Sequence, residues 1–160
     1  AAARRLGITA PLRPHPSLAL GVAEVSLLEL TGAYAVVASG GLGVVPHAIA
    51  EIRDRDGRVL YRRAGSGLGR VLAPGVAADL DALLRAVVRE GTGRRAALEV
   101  PAAGKTGTSQ DSRDAWFLGY REGLVAGVWL GNDDGTPLQG VTGGSLPAEL
   151  WRDFMTRIQP

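Results

Sequence analysis

The 160-residue sequence predicts an α+β fold, in which helices pack on one antiparallel β-sheet. Three observations support this fold class. Apolar residues recur with a helical period in three segments, the period changes to that of strands from Gly104 onward, and short turn sequences join those strands. Hydrophobic residues make up 46% of the chain, which is enough to bury the core of one compact unit.

A capping-box sequence marks the start of the first predicted helix. Ser26 and Glu29 have the spacing in which the serine hydroxyl accepts from the third helical amide and the glutamate reaches back. We predict a helix from about Leu27 to Ser39 that ends at Gly40-Gly41. It is apolar on nearly every side, which indicates a helix inside a core. The prolines between residues 11 and 16 predict an extended loop for the first twenty residues.

The uncharged stretch from residue 30 to residue 50 is long enough to cross a bilayer. Its Gly40-Gly41 pair, Gly43 and Pro46 would break a spanning helix and leave backbone polar groups unsatisfied in lipid. The sequence therefore predicts a buried helix followed by a turn.

A hairpin and a second helix are predicted before the sheet. Asp54-Arg55-Asp56-Gly57 lies between two short β-prone runs, Ile49 to Arg53 and Arg58 to Arg62, and Asp-Gly in that position is a hairpin signal. The second helix follows Pro74 and ends at Gly91. Its predicted apolar face comprises Val76, Leu80, Leu83, Leu84, Val87 and Val88.

The rest of the chain is predicted to form three strands and a last helix. The strands are Lys105 to Ser109, Asp114 to Tyr120 and Leu124 to Gly131. The last two are apolar on both faces, so we expect them to lie in the middle of the sheet with both faces covered. The C-terminal helix begins at Ser145, has Pro147 in its first turn, and places Leu150, Phe154 and Ile158 on its apolar face.

Composition excludes several kinds of site. The chain has no cysteine, which excludes disulfides and thiolate metal sites, and two histidines are too few for a histidine-rich zinc site. We therefore expect no metal and no cofactor. Its 18 basic and 16 acidic residues are interspersed, which argues against binding to nucleic acid.

Four features are interpreted as structural. Gly91-x-Gly93-x-x-Ala96 imitates a dinucleotide fingerprint, but it follows a helix instead of a strand, so we interpret it as a turn. Asp133-Asp134 are interpreted as turn formers before Gly135 and not as cation ligands. His15 and His47 have no acid or nucleophile nearby in sequence. The three tryptophans, Trp116, Trp129 and Trp151, are core candidates first and substrate contacts second.

An ordered set of motifs carries the strongest functional signal. The segment Gly104-Lys105-Thr106-Gly107-Thr108-Ser109 contains the Lys-Thr-Gly triad of penicillin-recognising serine acyltransferases. Gly91-Thr92-Gly93 precedes it, and Asp114-Ala115-Trp116-Phe117, Val128-Trp129-Leu130-Gly131-Asn132 and Thr142-Gly143-Gly144 follow it. In this order the motifs resemble those of class A, bifunctional penicillin-binding proteins. The resemblance implies that residues 1–160 are the C-terminal portion of a transpeptidase domain, with part of its serine β-lactamase-like fold.

Residue chemistry explains why the triad suits a peptide that ends in D-Ala-D-Ala. A lysine ammonium beside threonine hydroxyls offers charge-assisted hydrogen bonds to the terminal carboxylate, so Lys105, Thr106 and Thr108 are candidate ligands, with Ser109 beside them. Side chains alternate along a strand, which sends Thr106 and Thr108 one way, and Lys105 and Gly107 the other unless a twist or bulge re-aims them. Gly107 lacks a Cβ and would let a substrate backbone lie along the strand. The resemblance implies that the Thr108 amide contributes to an oxyanion hole.

Two further motifs of the family are absent from the 160 residues. Ser-x-x-Lys supplies the acylated serine, and Ser-x-Asn assists proton transfer. The only lysine, Lys105, has Ala102 three positions before it, and the only asparagine, Asn132, has Leu130 two positions before it. The resemblance places both motifs before Ala1, together with a glycosyltransferase domain and a membrane anchor. We expect this chain alone to be inactive.

The resemblance implies a D,D-transpeptidase in the intact protein, at the periplasmic face of the bacterial inner membrane. A serine would be acylated by one peptidoglycan stem peptide with loss of D-alanine, and the acyl group would pass to an amine of a neighbouring stem peptide. β-Lactams would acylate the same serine. Serine β-lactamases and D,D-carboxypeptidases share the triad, but we do not expect them to carry the two tryptophan-bearing strands. An alternative of another class is a non-catalytic binding or scaffold module of the cell wall.

Overall fold

A computed structural model of the chain describes residues 2–65 and 67–158. Four helices and five strands lie in these ranges and are joined by turns and 3₁₀-helices. In chain order they are α1 (Ala2–Arg5), a 3₁₀-helix (Pro16–Leu20), α2 (Leu27–Ala38), β1 (Glu51–Arg53), β2 (Val59–Arg62), α3 (Pro74–Arg89), a 3₁₀-helix (Arg94–Ala96), β3 (Ala103–Thr108), a 3₁₀-helix (Gln110–Ser112), β4 (Asp114–Arg121), β5 (Leu124–Gly131) and α4 (Leu146–Arg157).

The main sheet is antiparallel with the strand order β3-β4-β5, and β1 and β2 form a separate hairpin. Helices α2 and α4 pack on opposite faces of this sheet. Phe117 of β4 contacts Trp151 of α4, whereas the next residue, Leu118, faces α2 beside Gly127. The predicted α+β class is confirmed, and β4 is buried on both faces as expected. β5 is not, because it is only half-buried and Trp129 is 38% exposed.

Helix α4 buries a different face from the predicted one. Trp151 is fully buried, and its ring centroid lies 5.2 Å from that of Phe117. Pro147, Ala148 and Met155 share this buried face. Leu150 and Phe154, which were predicted to lie on the apolar face of the helix, are 41% and 48% exposed. The helix carries two apolar stripes one residue apart, and the indole that fits against Phe117 decides which stripe turns inward.

Helix α2 confirms the predicted capping box and C-terminal stop. The Glu29 amide donates to the Ser26 hydroxyl at 3.2 Å, and the Ser26 amide donates to the Glu29 carboxylate at 3.3 Å. The chain turns at Gly41, whose amide donates to the carbonyl of Val36 at 2.8 Å. The helix is not enclosed, however, because Leu28 is 65% exposed. In the described ranges, no helix is both long enough and apolar enough to cross a membrane.

The predicted hairpin forms, with Asp54 as its organising residue. One Asp54 carboxylate oxygen accepts from the amides of Asp56 at 3.1 Å and Arg58 at 2.9 Å. Helix α3 also forms where predicted, but Val76 and Leu83 are exposed, and Ala77 and Val88 are its buried residues. Ala77 contributes only a small apolar surface, so it does not stand out in a pattern of large apolar residues.

The prediction of an extended loop for the first twenty residues holds only for residues 8–15. Helix α1 and a 3₁₀-helix lie within these twenty residues. Pro16 occupies the first turn of the 3₁₀-helix, where its fixed φ suits a helix and its missing amide costs nothing. His15 caps it, because its Nδ1 accepts from the Ser17 amide at 3.3 Å. The same Nδ1 lies 2.6 Å from the Ser17 hydroxyl, so both contacts of His15 are local to this cap.

Glu29 also ties the N-terminal segment to α2. One of its carboxylate oxygens accepts from the amide and hydroxyl of Thr9, at 2.7 and 2.5 Å, and from the Ala10 amide at 3.1 Å. The hydrogen bonds from Thr9, followed by those from Ser26, lower the pKa of Glu29 from 4.5 to about 2. The ionised carboxylate therefore stabilises the attachment of this segment.

We predict that Glu29→Gln removes a pH-dependent part of the stability. A carboxylate with a lowered pKa stabilises the fold fully above its unfolded pKa of 4.5, and this contribution is lost as pH falls through about 2. The melting temperature of the wild type should exceed that of Glu29→Gln at pH 6, and the difference should shrink toward pH 2. Glu24→Gln, at an exposed position before the helix, is the control. Parallel pH curves for wild type and Glu29→Gln would contradict the assignment.

Candidate functional site

The Lys-Thr-Gly triad lies on β3, which is an edge strand within the part of the chain that the structure describes. Thr106 pairs with Phe117 of β4, and Lys105 pairs with Leu118. Since Phe117 faces α4 and Leu118 faces α2, the side chains alternate as predicted. Thr106 and Thr108 point to the α4 side of the sheet, and Lys105 and Gly107 point to the α2 side.

Backbone groups of the triad point to the free edge of the sheet. The Ser109 amide donates to the Asp114 carbonyl at 2.9 Å, which makes these residues a hydrogen-bonded pair. In an antiparallel ladder such pairs alternate with pairs whose amides and carbonyls point outward, so the amides of Thr106 and Thr108 point away from β4. The exposed Lys105 ammonium donates to the outward carbonyl of Thr106 at 2.8 Å.

Both threonine hydroxyls of the triad have partners on neighbouring loops. The Thr106 hydroxyl lies 2.7 Å from the Thr92 hydroxyl, and either can donate. The Thr108 hydroxyl accepts from the Gly143 amide at 3.0 Å, so its own proton stays available for an acceptor. Ser109 is used differently. Its hydroxyl accepts from the Asp114 amide at 2.7 Å and closes the turn into β4.

A cavity of about 420 Å³ opens on the threonine side of β3. Its walls carry hydroxyls and guanidiniums, and none of its lining residues is acidic. The lining comprises Gly91, Thr92, Arg94, Arg95, Thr106, Thr108, Thr142, Gly144 and Ser145. Hydroxyl donors and positive charge on converging walls form a surface that suits an anion, and a carboxylate in particular. Lys105, Gly107 and Ser109 do not line this cavity.

The loop that closes the cavity approaches β3 too closely for a side chain at Gly143. A Cβ there would overlap the backbone of Gly107 and of Trp116. At Gly144, a Cβ would lie 2.5 Å from the Thr92 carbonyl oxygen. The two glycines therefore allow this loop to contact β3 and the Thr92 turn together.

Residues 91–93 form a turn, as predicted. The Gly93 amide donates to the Val87 carbonyl at 3.0 Å, and a 3₁₀-helix follows directly. This turn and the segment after it also supply four of the nine residues that line the cavity, which the sequence did not predict. Thr92, Arg94, Arg95, Thr142 and Ser145 were not predicted as site residues. The signal for them is weak, because it consists of hydroxyl and arginine residues beside Gly-rich turns.

The contacts of Asp134 and His47 support their structural interpretation. Asp134 forms a turn, since its carboxylate accepts from the amide and hydroxyl of Thr136 at 3.0 and 2.8 Å, and these bonds lower its pKa. His47 contacts the Val45 carbonyl at 3.1 Å. Of the three tryptophans, only Trp151 is a core residue, because Trp116 is half-buried and Trp129 is exposed. The ring centroids of Trp116 and Trp129 lie 6.3 Å apart, and the Trp129 Nε1 donates to Asp114 at 2.8 Å.

Comparison with known proteins identifies relatives along most of the chain. Residues 15–156 match the family model described as the penicillin-binding protein transpeptidase domain. Penicillin-binding protein 1A of Aquifex aeolicus is 42% identical over 154 residues, which are 93% of this chain and 21% of that protein. Penicillin-binding protein 1A of Neisseria meningitidis is 37% identical over 160 residues, which are 95% of this chain and 20% of that protein. The chain thus spans about a fifth of the length of these relatives.

Solved structures share the fold. PonA1 of Mycobacterium tuberculosis in complex with penicillin V superimposes with a TM-score of 0.83 at 26% identity, over 96% of this chain and 47% of that one. Penicillin-binding protein 1A of Haemophilus influenzae has a TM-score of 0.83 at 22% identity, over 98% of this chain and 30% of that one. The second match shows a common fold alone.

We predict that Gly143→Ala destabilises the protein through the contact between this loop and β3. Overpacking at a closed position costs about 1 to 3 kcal/mol of unfolding free energy, and here the obstructing atoms are backbone. Gly75→Ala is the matched control, because a Cβ at Gly75 in the first turn of α3 meets nothing within 4 Å. Urea unfolding of both variants measures the difference. Equal stability of the two would show that the loop can move away from β3.

Proposed function

The chain belongs to the penicillin-binding protein transpeptidase family, and we propose that it forms the carboxylate-binding wall of a peptidoglycan D,D-transpeptidase. The observation that carries the proposal is the placement of Thr106 and Thr108 on an edge strand beside a cavity without acidic lining. The nucleophilic serine of a Ser-x-x-Lys motif belongs to a part of the longer protein outside these 160 residues.

Lys105, Thr106 and Thr108 would bind the terminal carboxylate of the D-Ala-D-Ala peptide. The Thr108 hydroxyl is oriented by the Gly143 amide, which leaves its proton to donate to an anion. Thr106 can do the same when Thr92 donates to it. The Lys105 ammonium donates one hydrogen bond to the Thr106 carbonyl and has two further protons. These protons can donate to a carboxylate at the edge of the strand.

The unpaired edge of β3 supports two further roles. A substrate backbone can lie along this edge, where Gly107 presents no side chain. The outward amide of Thr108 can donate to the oxyanion that develops on the scissile carbonyl. In the proposed reaction the serine hydroxyl attacks that carbonyl, its proton passes to the departing D-alanine amine, and a serine ester remains. An amine of a second stem peptide then attacks the ester and regenerates the serine.

The structure supports the predicted role of Gly107 better than that of Ser109. Gly107 keeps its role as an open position along the strand. Ser109 is a weaker candidate for substrate binding, since its hydroxyl already accepts from the Asp114 amide.

β-Lactams would enter as analogues of D-Ala-D-Ala, and the solved complex of PonA1 with penicillin V is consistent with this. In the longer protein the site would face the periplasm, held there by an anchor outside this chain.

We predict that the 160 residues alone, with their fold verified by circular dichroism, give no stable adduct with a fluorescent penicillin. The longer protein should be labelled at the serine of its Ser-x-x-Lys motif, as mapped by peptide mass spectrometry. An adduct on the 160-residue chain would show that the nucleophile lies within it, with Ser109 the first suspect. An unlabelled longer protein would favour a non-catalytic wall-binding module.

We predict that Lys105→Ala in the longer protein removes most acylation by penicillin and leaves the melting temperature nearly unchanged. A hydrogen bond between charged partners contributes on the order of 1.5 to 3 kcal/mol, which corresponds to a loss of roughly ten to a hundredfold in acylation efficiency. Stability should hold because Lys105 is exposed and its truncation leaves no cavity.

Lys105→Arg serves as the charge-preserving control. It should recover only part of the rate, because a planar guanidinium cannot reproduce the geometry of an ammonium. Acylation of Lys105→Ala at the parental rate would mean that Lys105 is a solvated edge residue without a role in the carboxylate site.

A further inference from the structure

The two arginines that line the cavity are not equivalent. Arg95 donates to the Glu149 carboxylate of α4 at 2.6 Å, so its charge is balanced by a fixed partner. The guanidinium of Arg94 has no hydrogen-bond or ion-pair partner in the ranges 2–65 and 67–158. The cavity consequently carries one uncompensated positive charge in a lining that also includes Thr106 and Thr108 of β3.

The backbone that holds Arg94 is anchored in the core. Ala96, two residues on, is fully buried, and its amide donates to the Gly93 carbonyl at 2.9 Å. Gly93 is also buried, and a Cβ there would lie 3.1 Å from Val87 and 3.2 Å from the Phe117 ring. The Arg94 side chain is therefore exposed on a fixed base, which leaves its guanidinium available to a ligand.

We propose that Arg94 is a further substrate-binding residue, which binds a carboxylate of the stem peptide across the cavity from Thr106 and Thr108. This inference rests on the proposed transpeptidase function. A guanidinium presents two parallel N–H groups to the two oxygens of a carboxylate, and the threonine hydroxyls can donate from the opposite wall. The carboxylate is either the terminal one, which D-Ala-D-Ala peptides share with penicillins, or a second one that precedes D-Ala-D-Ala in an acidic stem peptide.

The test compares ligands with and without each carboxylate, using the longer protein. One pair is a penicillin and its methyl ester, and the other is a donor peptide with its internal carboxylate free or amidated. Arg94→Ala should lower kcat/KM about tenfold for the charged member of one pair, mainly through KM, and leave the blocked member unchanged. The affected pair identifies the carboxylate. Arg94→Lys should restore part of the loss.

Arg89→Ala is the matched control, because Arg89 lies exposed at the end of α3 and does not line the cavity. It should leave all four ligands unaffected. Equal losses on the charged and blocked members of both pairs, or no loss on any ligand, would overturn the role of Arg94. A wild-type protein that penicillin does not acylate would instead refute the transpeptidase function on which the inference rests.

Discussion

The contact between Phe117 and Trp151 is the constraint on which the candidate site depends. Both side chains are fully buried, and their ring centroids lie 5.2 Å apart, so the face of β4 that carries Phe117 must turn toward α4. β3 pairs with β4 in a register that places Thr106 opposite Phe117. A slip of one residue would move every side chain of β3 to the other face, which would send the threonines toward α2 and Lys105 toward the cavity. The aromatic contact in the core therefore determines which chemical groups face the proposed ligand.

Local chemistry made much of the fold predictable from the sequence. The Ser26 and Glu29 capping box, the Asp54 turn and the strands around Trp116 each depend on residues close together in the chain. Several of the wrong predictions concern which face of a helix or strand is buried. Leu150 and Phe154 form an apolar stripe as convincing as that of Trp151 and Met155, and only the position of Phe117, more than thirty residues away, distinguishes them. Sequence periodicity cannot contain that information, because it depends on how two distant elements meet.

The residues of the candidate site also differ in whether the sequence could predict them. The triad on β3 was visible in the sequence because its residue types and order are specific. The other lining residues were not, since Thr92, Arg94 and Ser145 belong to turns or a short 3₁₀-helix, whose residues ordinarily need no function to explain them. Tertiary structure brings the turn after α3 and the loop before α4 to the same strand, through Gly143 and the bond between Thr92 and Thr106. The cavity is thus a property of three segments and of none of them alone.

An edge strand with outward amides and carbonyls is a hazard, because it can pair with any other strand. Lys105 reduces this hazard in the unliganded chain, since its ammonium occupies the outward carbonyl of Thr106 at 2.8 Å. A substrate backbone that pairs along β3 would need that same carbonyl. Binding would therefore release the Lys105 ammonium at the moment when a carboxylate arrives beside it. Lys105 can thus protect the free edge in the unliganded chain and bind the substrate when the substrate pairs with that edge. Both roles require a lysine at this position on the strand.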